Sequence, residues 1–174
     1  MHHRRHMFIA AAALATWLGA SPAAADVKAG VDAWNAGNYT AAVAEWRPLA
    51  DKGDADAQFN MGQAYRFGKG VPKDFRITQS WYEKAAQQGH EKAQANLGVL
   101  LFDTGKRNEA MSWIRKAADR GDPRAQYVLG TALFNGDLAA KDWPRAYALM
   151  TRAAGAGLPP GADNLPQMGK NKPP

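Results

Sequence analysis

Apolar side chains recur at steps of three and four residues through most of the chain between residues 27 and 157. That spacing places them on one face of an α-helix. The amphipathic stretches come in pairs, and short turns rich in glycine, aspartate and proline separate them. Such turn residues interrupt helices. The pattern therefore predicts an all-α protein built from helical hairpins.

Two sets of glycines mark a repeat within this pattern. The first set is Gly30, Gly62, Gly98 and Gly130, with spacings of 32, 36 and 32 residues, and the second is Gly53, Gly89, Gly121 and Gly157, with spacings of 36, 32 and 36. An Ala-Gln pair recurs at one position of the unit, as Ala57-Gln58, Ala93-Gln94 and Ala125-Gln126. A fixed period of this length indicates a solenoid. We predict an α/α superhelix of four stacked hairpins, over residues 26–53, 54–89, 90–121 and 122–157.

The two glycine sets are predicted to have different roles. Glycines of the first set lie within the first helix of each hairpin, where the missing side chain lets a neighbouring helix approach closely. Glycines of the second set follow the second helix, where a left-handed residue commonly ends a helix. Asp122 and Asp142 are predicted to cap the helices that follow them, and Pro123 suits the first turn of its helix.

One stretch of the chain resembles a known repeat family. The residues Ala57-Gln58, Met61-Gly62, Gly68-Lys69-Gly70-Val71, Trp81-Tyr82 and Lys84-Ala85-Ala86 resemble the Sel1-like repeat of the tetratricopeptide superfamily. The resemblance extends over about residues 27–157, although the third unit lacks the Gly-x-Gly-Val loop. It implies a right-handed superhelix of helix pairs that acts as a scaffold for protein assembly. It transfers no catalytic residue.

The two ends of the chain differ from the repeats. Residues 1–25 resemble an export signal, because Arg4 and Arg5 precede an apolar run and Ala23-Ala24-Ala25 supplies a cleavage site. We expect a periplasmic protein, with secretion as the second choice, and leave open whether the export route is Sec or twin-arginine. Neither this run nor a later one reaches the roughly 20 apolar residues that span a membrane. The proline-rich residues 158–174 are predicted to form a disordered tail.

Charge and composition narrow the possible functions. The formal net charge is +6, and removal of Arg4 and Arg5 with the signal lowers it to +4. Export makes nucleic acid an unexpected partner, so a basic surface would meet acidic proteins, anionic wall polymers or lipid headgroups. The chain has no cysteine, and His90 is the one histidine after the predicted cleavage site. This count excludes a zinc site of the usual imidazole or thiolate type. No metal, cofactor or enzymatic activity is expected.

Candidate catalytic groups have simpler structural interpretations. His90 occupies the position that Asp54 and Asp122 hold in neighbouring joints, which predicts a turn or capping role. Ser80 and Ser112 stand at equivalent positions of two repeats, so they are interpreted as structural rather than as members of a Ser-His-acid triad. The tryptophans at positions 46, 81, 113 and 143 are interpreted as packing residues rather than as a platform for sugars.

A partner-binding surface is predicted on the first helices, which line the concave face of such superhelices. The positions three before, one after and four after each glycine of the first set point away from the packing face. The aromatic and polar residues there form the predicted surface: Trp34, Phe59, Gln63, Arg66, Phe102, Tyr127 and Phe134. Large rings bury much area on binding. The alternative interpretation places some of these rings in the core between hairpins.

These observations favour a periplasmic adaptor, scaffold or regulator that binds a peptide, helix or protein segment on its concave face. An alternative is a wall-directed enzyme or a peptidoglycan-binding accessory protein, suggested by the basic charge and the tryptophans. A third is self-association through uncovered apolar surface on the last hairpin, around Leu133, Tyr147 and Leu149.

Overall fold

The computed structural model of the protein describes residues 26–158, which form eight α-helices and contain no strand. The helices are α1 (Val27–Asn35), α2 (Tyr39–Asp51), α3 (Ala55–Phe67), α4 (Phe75–Gln87), α5 (Glu91–Asp103), α6 (Arg107–Asp119), α7 (Pro123–Asn135) and α8 (Trp143–Gly155). The prediction of an all-α chain of helical hairpins is confirmed. The predicted export signal and nearly all of the predicted tail lie outside the described residues.

Each helix packs against the next one along the chain. The hairpins α1–α2, α3–α4, α5–α6 and α7–α8 have the most extensive contacts, and the second helix of each hairpin also packs on the first helix of the next. The first helices α5 and α7 contact each other directly. The surface formed by α1, α3, α5 and α7 is called the first-helix face below. None of the described helices is long and apolar enough to cross a membrane.

The glycines of the first set mark the closest approach within each hairpin. A Cβ atom built on Gly62 would lie 2.5 Å from the ring of Tyr82, and one on Gly130 would lie 2.6 Å from Cγ of Met150. A Cβ on Gly98 would meet Cγ1 of Ile114 at 3.0 Å. Because each side chain belongs to the second helix of the same hairpin, the predicted packing role is confirmed.

The joints between hairpins follow the predicted capping pattern. Gly53, Gly89 and Gly121 have φ angles of 101°, 90° and 95°, a left-handed conformation that favours glycine. Asp122 then caps α7 by accepting a hydrogen bond from Ala125 N at 2.9 Å, and Pro123 is the first residue of that helix. Asp142 caps α8 in the same way. The predicted helix ends and caps are confirmed.

The glutamine of the repeated Ala-Gln pair ties successive hairpins together. Gln58, Gln94 and Gln126 are buried, and each side-chain nitrogen donates to the carbonyl oxygen eight residues earlier, at 3.1, 2.9 and 3.3 Å. Those carbonyls belong to the last turns of α2, α4 and α6, and each also accepts a hydrogen bond from the backbone nitrogen of the glycine three residues later. The repeated glutamine thus adds a side-chain hydrogen bond at each helix end and links the two helices of each joint.

The core runs along the hairpins as two adjoining apolar clusters, one around α1 to α4 and one from α4 to α8. Trp46 is 2% exposed and donates from Nε1 to Val27 O at 3.1 Å, and Trp81 is 9% exposed. Trp113 and Trp143 are half-buried. Trp46 and Trp81 therefore pack as predicted.

Candidate functional site

A groove of about 300 Å³ opens on the first-helix face, between α3, α5 and the start of α7. It is lined by Phe59, Gln63, Arg66, Phe67, Lys92, Asn96, Asp122 and Arg124. Three consecutive hairpins therefore contribute to one depression. We call it the basic groove, because three of the lining side chains are cationic and one is anionic.

A chain of hydrogen bonds links side chains from four helices at the basic groove. The buried hydroxyl of Tyr82 donates to Oε1 of Gln63, which also accepts from Nδ2 of Asn96 at 3.3 Å. Oδ1 of Asn96 accepts from the Arg124 guanidinium at 2.8 Å. Arg124 lies 3.4 Å from Oδ2 of Asp122 as well. This network links α3, α4, α5 and the start of α7 around the groove.

Burial also affects the acidity of Tyr82. Its side chain is fully buried, and the loss of water raises the pKa of its phenol above the usual value. The nearby Arg66 guanidinium opposes this shift, since a cation favours the phenolate. The phenol remains protonated at neutral pH and serves as a hydrogen-bond donor to Gln63.

The cations of the groove differ in their partners. Arg124 forms an ion pair with Asp122, whose side chain also caps α7. Within residues 26–158, neither Arg66 nor Lys92 forms an ion pair with a carboxylate. The basic groove therefore keeps an excess of positive charge.

The ring of Phe59, which lines the groove, is supported by two other rings. Phe59 stacks on His90 with ring centroids 4.6 Å apart and on Tyr82 with centroids 5.9 Å apart. His90 caps α5, because its Nδ1 accepts from Ala93 N at 3.1 Å, and its Nε2 lies 3.1 Å from Oδ1 of Asp56. Nε2 must then carry the proton. The predicted capping role of His90 is confirmed, and its ring also supports Phe59.

The structure brings three of the seven predicted site residues together. Phe59, Gln63 and Arg66 line the basic groove. The other four lie outside its lining and pack against neighbouring parts of the chain. Trp34 contacts Tyr39 and Trp46, with ring centroids 4.8 and 5.4 Å apart.

The remaining predicted aromatics are half-buried and contact the core. The guanidinium carbon of Arg107 lies 5.2 Å from the ring centroid of Phe102. The ring centroids of Phe134 and Trp143 are 6.1 Å apart. Tyr127 packs against the same core cluster. These three rings present only part of their surface to a partner.

Five lining residues were not predicted to belong to the surface: Phe67, Lys92, Asn96, Asp122 and Arg124. Lys92 and Arg124 lie six residues before the glycines of their helices, and Asn96 lies two before. These positions continue the predicted face by one turn toward the N-terminus. The groove uses later positions of α3 and earlier positions of α5 and α7, so it crosses the helices diagonally, whereas the prediction assumed equivalent positions in every repeat.

A second cavity of about 820 Å³ lies beside the last hairpin, and the ring of Trp143 is part of its wall. Nε1 of Trp143 is buried and has no hydrogen-bond acceptor among residues 26–158.

The same described range contains no cluster of three His, Cys, Asp or Glu side chains suited to a metal ion. Ser80 and Ser112 both lie on exposed helix surfaces, and Ser112 donates to Glu109 O at 3.2 Å.

Known proteins share the repeat and the fold of this chain. Three consecutive stretches, residues 55–90, 91–122 and 123–158, match the family model of the Sel1 repeat. A Sel1 repeat protein from Oxalobacter formigenes has a similar crystal structure, with a TM-score of 0.67 and 33% identity over 76% of this chain and 56% of that one. No curated protein matches the chain.

A second similar crystal structure is that of a protective antigen of uropathogenic Escherichia coli, which displays an SLR fold. It has a TM-score of 0.65 and 30% identity over 76% of this chain and 30% of that one. The chain thus spans about half the length of the first structure and about a third of the second.

Proposed function

The chain belongs to the Sel1 repeat family, and we propose that it is a periplasmic protein-interaction module that holds a segment of another protein in the basic groove. The single observation that carries the proposal is the convergence of three hairpins on one depression. A groove built from several repeats binds an extended or helical segment, as is typical of solenoid proteins. The module would act as an adaptor, scaffold or regulator.

The family supports the general part of this proposal. The Sel1 repeat fold serves as a module for interactions between proteins, and proteins that contain it are generally scaffolds without enzymatic activity. Binding to the first-helix face, which we propose as the concave one, is the more specific part. It is supported by the aromatic and polar side chains of Phe59, Gln63 and Arg66, which supply apolar area and directional hydrogen bonds at one place.

The proposed location has a separate basis. The positive residues Arg4 and Arg5, the apolar run after them and the small residues Ala23 to Ala25 have the order of an export signal. Cell fractionation and N-terminal sequencing would test this directly. We expect the mature chain in the periplasmic fraction with Asp26 as its first residue, whereas a cytoplasmic chain of full length would contradict the location.

A photo-crosslinking experiment would test the binding surface. Phe67 lines the groove and is 54% exposed, while Tyr147 on α8 lies outside it and is 53% exposed. A benzophenone amino acid is introduced at one or the other position in living cells. We expect a covalent adduct with another protein from position 67 and none from position 147.

The other outcomes discriminate between functions. Adducts with one protein at both positions, or none at position 67, would contradict a groove-specific interaction. Adducts only between copies of this chain at position 147 would instead indicate self-association. Retention of the purified chain on isolated peptidoglycan, without a protein adduct, would favour the wall-directed alternative.

A further inference from the structure

The side-chain acceptors of the basic groove accept hydrogen bonds from donors of the protein itself. Oε1 of Gln63 accepts from Tyr82 and Asn96, and Oδ1 of Asn96 accepts from Arg124. Asp122 accepts from Ala125 N and from the Arg124 guanidinium. The side-chain acceptors at the centre of the groove are therefore engaged by donors of the protein itself.

The groups that remain are donors. Nε2 of Gln63 makes no hydrogen bond within residues 26–158, and neither Arg66 nor Lys92 has a carboxylate partner in that range. An amide carries two N–H groups, an ammonium three and a guanidinium five, and the last two are charged. A ligand that complements these donors must bring acceptors and negative charge.

We infer that the segment bound in the basic groove is acidic, and that one of its carboxylates lies between Arg66, Lys92 and Arg124. This inference rests on the proposed function. Arg66 can present paired N–H groups to a carboxylate, which is the geometry of strong, directional binding. Arg124 donates from Nη2 to Asn96 and Asp122, so it would contribute its charge and single N–H groups of Nε or Nη1. Lys92 adds a third positive charge from α5, and the amide nitrogen of Gln63 completes the donor set.

The groove favours a protein segment over a free inorganic anion. Its volume of about 300 Å³ corresponds to roughly ten water molecules, which is more space than one small anion fills. Phe59 and Phe67 line the same groove, so part of the wall is apolar. An acidic side chain together with an adjacent apolar one would match both kinds of wall.

Selection from a library of random linear peptides displayed on phage would test the inference. The purified full chain is the target, beside two double variants with equal net charge. In Arg66→Gln/Lys92→Gln the groove loses its two cations that lack ion pairs. In Lys52→Gln/Arg152→Gln two exposed cations outside the groove are removed. None of the four side chains is in an ion pair within the described range, so both variants should fold, which circular dichroism checks.

We expect the wild type to enrich peptides in which aspartate or glutamate stands beside an apolar residue. The affinity of a synthetic peptide of the enriched sequence should fall about tenfold to a hundredfold in the groove variant, as for loss of charge-assisted hydrogen bonds, and little in the control variant. It should also fall as salt is added.

Each other outcome counts against the inference in a different way. Enriched peptides without acidic residues, or acidic peptides that bind the groove variant as tightly as the wild type, would overturn it and leave the proposed function intact. Equal loss in both variants would show non-specific attraction and also overturn it. Failure of every peptide to bind above background would count against the inference and the proposed function together.

Discussion

The side-chain nitrogen of Gln94 donates a hydrogen bond to Ala86 O at 2.9 Å, across the joint between the second and third hairpins. Its oxygen accepts from the guanidinium of Arg120, at the end of α6. One buried amide therefore joins the ends of α4 and α6 to the start of α5. The same donor bond recurs at Gln58 and Gln126, which explains why glutamine repeats at this position.

Replacement of Gln94 by alanine should destabilise the protein by about 0.5–1.5 kcal/mol, because the carbonyl of Ala86 would lose its side-chain donor and keep only the bond from Gly89 N. Unfolding in urea, followed by circular dichroism, measures the change. Gln87→Ala provides the matched control, since Gln87 is exposed near the end of α4. Equal and small effects of the two substitutions would mean that the bond does not stabilise the joint.

Gly62→Ala should destabilise the protein by about 1–3 kcal/mol, because the added Cβ would lie 2.5 Å from the ring of Tyr82 and force the helices apart. Gly155→Ala is the matched control. A Cβ there meets nothing within 4 Å, and alanine favours helix, so this variant should gain up to about 0.5–1 kcal/mol. Thermal unfolding of both variants would measure the contrast, and an unchanged melting temperature for Gly62→Ala would refute the packing role.

The repeat itself made most of the fold predictable from the sequence. Gly62, Gly98 and Gly130 stand at equivalent positions, so one packing argument applied to all of them and proved correct. Asp122 and Asp142 could be identified as caps because capping depends on nearby residues only. Local chemistry and fixed spacing are both visible in a linear sequence.

The groove was only partly predictable, because it depends on how successive hairpins are displaced relative to one another. Phe59, Gln63 and Arg66 were predicted from their place on one helix face. Lys92 and Arg124 reach the same groove from the first turns of α5 and α7, and the amount of that displacement follows from packing between hairpins. Trp34 occupies in α1 the position that Arg66 occupies in α3, yet its ring packs on Tyr39 and Trp46.

His90 should be replaceable by asparagine but not by alanine. Asparagine keeps a side-chain acceptor for Ala93 N, whereas alanine removes the cap of α5 and should cost about 1 kcal/mol. Comparison of the urea midpoints of the two variants would measure the difference. If both variants lose the same stability, the contribution of His90 comes from its stacking on Phe59 rather than from the cap.

Asp74 allows a test of how acidic pH affects the stability of the folded protein. Its carboxylate caps α4 by accepting from Arg76 N at 2.8 Å and Ile77 N at 3.0 Å. The hydrogen bond from Ile77 is the main reason why the pKa of Asp74 is lowered from its usual value of 3.8. A carboxyl group with a lowered pKa in the folded state stabilises that state when ionised. This contribution is complete above the unfolded pKa and is lost as the pH falls through the folded value.

Asp74→Asn should therefore make stability less sensitive to acid. Asparagine keeps an acceptor oxygen for the cap and has no proton to gain, so the difference in stability between neutral and acidic solution should shrink relative to the wild type. Urea midpoints above and below the usual aspartate pKa would measure this. Asp137→Asn, in the loop before α8, is the control, because Asp137 is exposed and caps none of the described helices. If the Asp74 variant retains the full acid dependence of the wild type, ionised Asp74 does not stabilise α4 and the acid sensitivity arises from other carboxylates.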